Sequence, residues 1–504
     1  MSVTTRNEKS GHRQVVVIGA GFSGVAAAVA LAKEGTDFVV LERAADVGGV
    51  WRDNTYPGVA CDIPSHLYSF SHEPNPDWTR TFAEGGQIGA YIRAVAEKHA
   101  VLDRFHFGQE LTSARWDDAA QHWKISTTDL ELTANILVDA AGPLTEPQLP
   151  DIPGLAQFPG TVFHSARWAH GHDLTGERVA VIGTGASSIQ FVPQIQPHVR
   201  HLTVFQRTPG WVIPRFDRDT TAFERRVLAR VPGATRTARL VQFAVRDVLH
   251  YRLIRRNRVF RRITESISLR RLHRHVPDPA LRAKLTPDFE IACKRVLISN
   301  TWYPALAQPN VEVVASGVRE VRGNTVVGRD GSEAEVDTLI LGTGFEVLPP
   351  PVTEHIVGRH GASLADVWRT QLRHYRAVEV AGFPNYFRLA GIGCGIGHGS
   401  LVFMIESQTR YLVDALRAMR RHGHTSVEVT EQAQGEYMAF LTDDLDNTVW
   451  MKGGCQSWYQ DQNGQTASMW PRTMWSYRRL LARFVPADHH LRAVSPAAVP
   501  ESVA

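Results

Sequence analysis

The sequence predicts an α/β chain with two Rossmann-like units and a helical insertion, and three observations predict it. An apolar run breaks into a glycine turn at Val15-Val16-Val17-Ile18-Gly19-Ala20-Gly21-Phe22-Ser23-Gly24. The same pattern recurs at Val179-Ala180-Val181-Ile182-Gly183-Thr184-Gly185-Ala186-Ser187-Ser188. Between the second loop and a later strand-like run, Asp337 to Phe345, lies an arginine-dense stretch with apolar residues at helical spacing. Glycines at such turns let a backbone approach a pyrophosphate, and the helix that follows offers unpaired N–H groups to it. Two loops in one chain therefore imply two dinucleotides.

In order, residues 1–13 are polar and predict a disordered tail. Strand Val15–Ile18, helix Ser23–Glu34 and strand Phe38–Glu42 form the first unit. Residues near 100–147 read as β-rich, and Pro143 to Pro153 carries four prolines and reads as a linker. The second unit runs from Arg178 to about Arg207. Residues 217–289 form the helical insertion, expected as a solvated basic face over a core or subunit contact, with a membrane-surface or anionic-partner role as the alternative. The expected domains are 14–147 with 349–504, and 153–216 with 290–348.

The chain has 504 residues, 43% hydrophobic and 21% charged, which fits a globular protein of roughly two to four domains. Its net charge of +4 gives no ground for nucleic-acid binding. Cys61, Cys293, Cys394 and Cys455 contain no Cys-x-x-Cys, which argues against a disulfide scaffold, a zinc site or a dithiol relay. The apolar stretch Val15 to Ala32 holds three glycines and precedes a second strand, so it is neither a signal peptide nor a membrane span. A cytoplasmic monomer or homodimer without integral membrane association is expected.

A carboxylate about 20 positions after the glycines accepts hydrogen bonds from an adenosine ribose. Glu42 stands at that spacing and would repel a 2′-phosphate, so the first site suits FAD or NAD. The second unit ends Val204-Phe205-Gln206-Arg207-Thr208, and arginine there favours a 2′-phosphate and hence NADPH. Ser188 occupies the last fingerprint position, where Gly or Ala is usual.

Two further segments narrow the chemistry: Gly48-Gly49-Val50-Trp51 through Tyr56-Pro57-Gly58 to Asp62, and Phe158-Pro159-Gly160 through His164 to Trp168. With the two loops, they resemble the class B flavin monooxygenases of Baeyer–Villiger type. The resemblance covers roughly residues 14–480, and it departs at Ala169, where the family has Pro or Asp, and at Gly464–Pro471. It implies FAD held by Gly19, Gly21, Gly24, Glu42, Gly49, Trp51, Asp62, Tyr68, Leu111 and Leu401. It implies NADPH held by Gly183, Thr184, Gly185, Ala186, Ser187, Arg207, Thr208, Lys294 and Trp458. Lys294-Arg295 matches the family's Lys-Arg pair, with Asp62 orienting Arg295 as the catalytic cation. His164 and Trp168 are read as structural.

The expected reaction is NADPH- and O2-dependent conversion of a ketone to an ester or lactone through a C4a-peroxyflavin. A fixed cation in a dry pocket keeps that oxygen species anionic, and arginine holds its charge at any working pH. N- or S-oxygenation is the alternative with the same cofactors. A disulfide reductase is disfavoured by the missing Cys-x-x-Cys, and a non-catalytic flavin sensor by the presence of Arg295.

Overall fold

The computed structural model describes residues 10–397, 399–461, 464 and 466–493. The tail 1–9, His398 of the turn Gly391–Ser400 and Gln465 lie outside the described residues.

The first sheet opens with β1 (Ser10–Ile18), followed by α1 (Phe22–Lys33) and β2 (Phe38–Glu42). β3 (Phe105–Phe107), β4 (Leu111–Asp117), β5 (His122–Thr127) and β6 (Glu131–Asp139) complete its N-terminal part. The expected tail is thus corrected: Ser10 to Arg13 pair in parallel with Glu131 to Ala134, so backbone hydrogen bonding orders these polar residues. Alternation along β1 sends Val15 and Val17 to the face covered by α1, and Val16 and Ile18 to the face carrying Trp116 and Trp123. Every residue of β2 is buried, as a parallel strand covered on both faces requires.

The second sheet contains β7 (Thr161–His164), β8 (Arg178–Ile182) with its helix α2 (Ser188–Ile195), and β9 (His201–Phe205). The insertion supplies α3 (Ala222–Arg230), α4 (Ala234–Val245) and α5 (Arg258–His275). The sheet resumes at β10 (Val311–Val314) and β11 (Thr338–Leu341), giving the order β10-β9-β8-β11-β7. All its pairings are parallel.

The C-terminal part returns to the first sheet. β12 (Ile356–Val357) pairs with β4, and β13 (Tyr386–Arg388) pairs with β6. Helix α6 (Leu401–His422) packs against α1 and ends on Gly423 at φ +67°, the left-handed stop that glycine adopts without a Cβ clash. Because α6 and the sheet enclose α1, α1 is apolar nearly all round.

The four cysteines form no disulfide scaffold, but two of them make one bridge. Cys293 and Cys455 form a disulfide across a sequence separation of 162, while Cys61 and Cys394 are buried thiols. Folding alone brings these two distant positions together, so their spacing carried no sign of it.

Candidate active site

The first glycine loop is shaped by backbone proximity. Gly19 sits at φ +100°, and a Cβ there would lie 2.8 Å from the Ala140 carbonyl oxygen. A Cβ on Gly24 would fall 1.9 Å from the Gly19 carbonyl oxygen, and one on Gly49 would lie 3.0 Å from the Gly21 Cα. The Gly48-Gly49 turn therefore packs directly on the loop. Glu42 is buried beside it, accepting from the backbone N–H of Ala20 at 2.8 Å and of Ala44 at 2.9 Å. Arg52 lies 3.3 Å from the same carboxylate.

Trp51 Nε1 donates to Tyr68 Oη at 3.3 Å, and Tyr68 meets Phe22, the first residue of α1, edge-on at 5.3 Å. Ser400 Oγ donates to the Leu67 carbonyl at 3.0 Å, which brings Leu401 and the N-terminus of α6 to the same place. Leu111 alone faces away, buried among Val16, Ile18, Val39 and Leu41. Two residues before it, the Gln109 N–H donates to the Glu42 carbonyl at 2.9 Å.

The second loop repeats this logic. Gly183 has φ +102°, and a Cβ would lie 2.4 Å from the Gly342 carbonyl oxygen. Gly185 and Ala186 are exposed, with Thr184 and Ser187 half-buried beside them. Ser188 is fully buried, and a Cβ on residue 342 would meet its Oγ at 2.3 Å. Glycine at 342 makes the room that serine at the fingerprint position needs. Past β9, Arg207 is exposed and Thr208 half-buried. Lys294 lies over the Phe289 ring at 5.1 Å. Burial, then the like charge of Arg207, pushes its ammonium below its usual range, against the opposing pull of Asp288. Arg329 is a third cation that sequence reasoning missed: its side chain and that of Arg207 both flank Gly317. It sits on a distant hairpin turn, so only the fold announces it. Among the described residues none of these three cations makes an ion pair.

Between the two lobes, Arg295 Nε donates to Asp62 Oδ2 and Nη2 to Asp62 Oδ1, both at 2.7 Å. Burial pushes the Asp62 carboxyl up, but the Arg295 charge and hydrogen bonds outweigh it and hold the group below the usual carboxylate range. The Asp62 charge in turn raises Arg295, against desolvation. Both keep some exposure, 27% for Asp62 and 30% for Arg295. Asp62 engages Nε and Nη2 of Arg295 and not Nη1, and the Tyr459 hydroxyl lies within reach of the guanidinium.

The segment leading to Asp62 is clamped to α2. Tyr56 Oη donates to Gln190 Oε1 at 3.0 Å, and Gln190 Nε2 donates to the Ala60 carbonyl at 2.9 Å. Gly58, at φ +79°, leaves room for the Gln190 carbonyl, which a Cβ would meet at 3.1 Å. The Tyr-Pro-Gly spacing is thus an inter-lobe clamp that aims Asp62 at Arg295. The Cys293–Cys455 disulfide joins the turn that leads into Lys294 and Arg295 to the loop carrying Trp458 and Tyr459. Trp458 is exposed and packs edge-on against buried Tyr459 at 4.4 Å. Arg246 of the insertion was missed by sequence reasoning, and Tyr459 was marked only as the neighbour of Trp458 in the Gln456–Tyr459 element. Each lies within electrostatic reach of Asp62 and Arg295.

His164 and Trp168 are placed as expected for structural residues. Trp168 packs edge-on against Phe163 at 5.0 Å and near Phe191 at 5.3 Å. His164 Nδ1 accepts from the Ala166 N–H at 3.1 Å, and its ring meets Phe345. Burial pushes its imidazole down to about 4. An unfolded histidine titrates near 6.5, so the neutral ring's stabilisation is complete above that pH and is lost as pH falls from about 6.5 towards 4. His164→Asn keeps an acceptor for Ala166 and removes the titration. Its melting temperature is expected to fall less than that of the wild type over this acid window, measured by thermal unfolding at stepped pH.

Residues 12–438 match the flavin-binding monooxygenase-like family. A Baeyer–Villiger monooxygenase of Streptomyces coelicolor is 47% identical over 490 residues, covering 97% of this chain and 94% of the relative. One from Pseudomonas aeruginosa is 42% identical over 497 residues, covering 97% and 93%. A closed crystal structure of cyclohexanone monooxygenase superposes with a TM-score of 0.85 at 28% identity, covering 96% of this chain and 100% of that one. A steroid monooxygenase bound to NADP gives 0.83 at 27%, covering 95% and 99%. A chain with two glycine cradles joined by a carboxylate–guanidinium pair, and with these relatives along nearly its whole length, belongs to the flavin-binding monooxygenase-like family.

Proposed function

We propose that the protein is an NADPH- and O2-dependent Baeyer–Villiger monooxygenase that converts a ketone to an ester or lactone. The observation that carries this reading is the bidentate Asp62–Arg295 pair, which occupies Nε and Nη2 and does not use Nη1. The sheet built from residues 10–147 with its returning strands at 356–357 and 386–388 is the FAD lobe, and 153–216 with 290–348 the NADPH lobe.

The cradles fit these groups: Gly19 and Gly24 of the first loop admit no Cβ and the loop ends beside Glu42, and the second ends at Arg207, Lys294 and Arg329, which make no ion pair among the described residues. When bound, FAD supplies the oxygen-activating ring and NADPH the hydride that reduces it. Glu42 holds the first ribose, and Trp51, Tyr68 and Leu401 wall the flavin side. Arg207 and Lys294 hold the 2′-phosphate, with Thr208 beside them, and Trp458 covers the nicotinamide. Arg295 directs Nη1 to the ketone oxygen and stabilises the negative charge that develops there, while Asp62 fixes the guanidinium plane.

Purified protein given FAD, NADPH and a ketone panel is expected to yield products heavier by one oxygen in mass analysis. A thioether oxidised while every ketone is spared would overturn the reading. Arg207→Ala is expected to raise KM for NADPH about tenfold or more while leaving that for NADH nearly unchanged, since it removes one charge-assisted phosphate contact of about 1.5–3 kcal/mol. Steady-state kinetics with both cofactors checks it.

A further inference from the structure

The insertion is not the evenly solvated basic face its composition suggested. Its helix α4 continues through the π-turn Arg246–His250, and the two faces of this rod differ. The inner face is fully engaged. Arg239 donates to the carbonyls of His66 at 2.9 Å, Leu67 at 3.2 Å and Ser69 at 2.6 Å, and reaches Glu406 at 3.3 Å. Phe243 stacks near Phe403 at 4.9 Å, and Asp247 accepts the Met474 N–H at 2.6 Å. These anchors recur at helical spacing, so the opposite face must be outermost.

That outer face is apolar. Leu240, Val241, Val245, Val248 and Leu249 are between 41% and 64% exposed. A solvated helix carries charged residues there. On α5, Val259 and Ile263 are also exposed, at 63% and 53%. Residues 222–275 contain fifteen arginines and three carboxylates, in a chain whose net charge is +4, and of these Arg239, Arg255, Arg256 and Arg261 pair with Glu406, Asp444 and Glu290 from other segments. Arg236, Arg258 and Arg262 are exposed and make no ion pair among the described residues.

We propose that the outer face of α4 and its π-turn is a peripheral docking surface for an anionic lipid membrane. The charge selects the occupant. A second copy of the chain would bring two strongly positive segments together, which like-charge repulsion opposes. A nucleic acid would use the arginines but has no use for an aliphatic stripe, which offers no ring for base stacking. An anionic bilayer uses both: aliphatic side chains enter the headgroup boundary, and arginines meet the lipid phosphates. No helix among the described residues is long and apolar enough to cross a membrane, so the contact is peripheral. The same rod carries Arg246 towards Asp62 and Arg295, so the membrane-facing element is also a wall of the candidate site.

FAD-loaded enzyme is tested by flotation with vesicles of phosphatidylcholine alone and of phosphatidylcholine mixed with phosphatidylglycerol. Binding to the anionic vesicles is expected to be at least about tenfold stronger, given about 1 kcal/mol for each basic residue at the surface. The triple variant Val241→Ser, Val245→Ser, Val248→Ser is expected to lose about tenfold or more of that binding, with flavin content and NADPH oxidation on a water-soluble ketone retained. The pair Arg258→Glu and Arg262→Glu is expected to lose binding in the same assay. No flotation of the wild type with anionic vesicles would overturn the proposal, as would equal flotation of wild type and both variants. A vesicle-free dimer that the triple variant converts to monomer would also overturn it, since the face would then be an interface between copies.

Discussion

Arg295→Ala is expected to lower ketone turnover by on the order of a hundred- to a thousandfold, the effect of removing one preorganised donor from a developing oxyanion. FAD content and the rate of flavin reduction by NADPH are expected to stay within a few-fold of wild type, because the side chain contacts neither glycine loop and its partner is Asp62. Stopped-flow flavin reduction and product quantification separate the two steps. Arg295→Lys retains a charge but loses the planar fork that meets both Asp62 oxygens, so it is expected to recover only part of the loss. Full activity in the alanine variant would remove the basis of the proposed mechanism. A parallel fall in flavin reduction would instead move Arg295 to cofactor placement.

Local backbone demands were the most legible part of this chain. Gly19, Gly24 and Gly183 could be read because a tight strand–turn–helix admits only glycine where a carbonyl lies within about 3 Å, and those carbonyls are where the pattern predicts. Glu42 was readable because a strand fixes its distance from the loop. Asp62 and Arg295 carry no such local sign; a motif resemblance paired them, and the Gln190 clamp shows physically how they meet. Arg329, Arg246, Tyr459 and the Cys293–Cys455 bridge depend on segments that converge only in the folded chain, so spacing along the sequence was silent about them. The exposed aliphatic stripe was also hidden, because helical periodicity marks an apolar face without saying whether anything covers it.

Arg388→Met is expected to be the most destabilising of these substitutions, by about 3–5 kcal/mol. Asp139 ends β6 with a fully buried side chain, and Arg388, only 3% exposed, is its ion-pair partner. Tyr386 Oη adds a hydrogen bond to the same carboxylate at 2.9 Å, and the Ala141 N–H adds one at 3.1 Å. Removing the guanidinium would leave a carboxylate in the core with neutral partners alone, whereas the pair as it stands is compensated. The surrounding sequence is built around that arginine. A Cβ on Gly391 would lie 2.6 Å from Arg388 Cδ, so the first glycine of the Gly391–Ser400 turn is space reserved for this side chain. A Cβ on Gly393 would meet the buried His374 ring at 2.3 Å, which accounts for the next glycine in the same way. Because Ala140 follows Asp139 and its carbonyl oxygen abuts Gly19, the damage is expected to reach the flavin cradle and appear as easier loss of FAD on dilution. Denaturant unfolding followed by tryptophan and flavin fluorescence measures both effects. Adding Asp139→Asn to Arg388→Met removes the stranded charge and is expected to restore part of the stability, and a double variant no more stable than the single would mean that packing around Arg388, rather than its charge, supports β6.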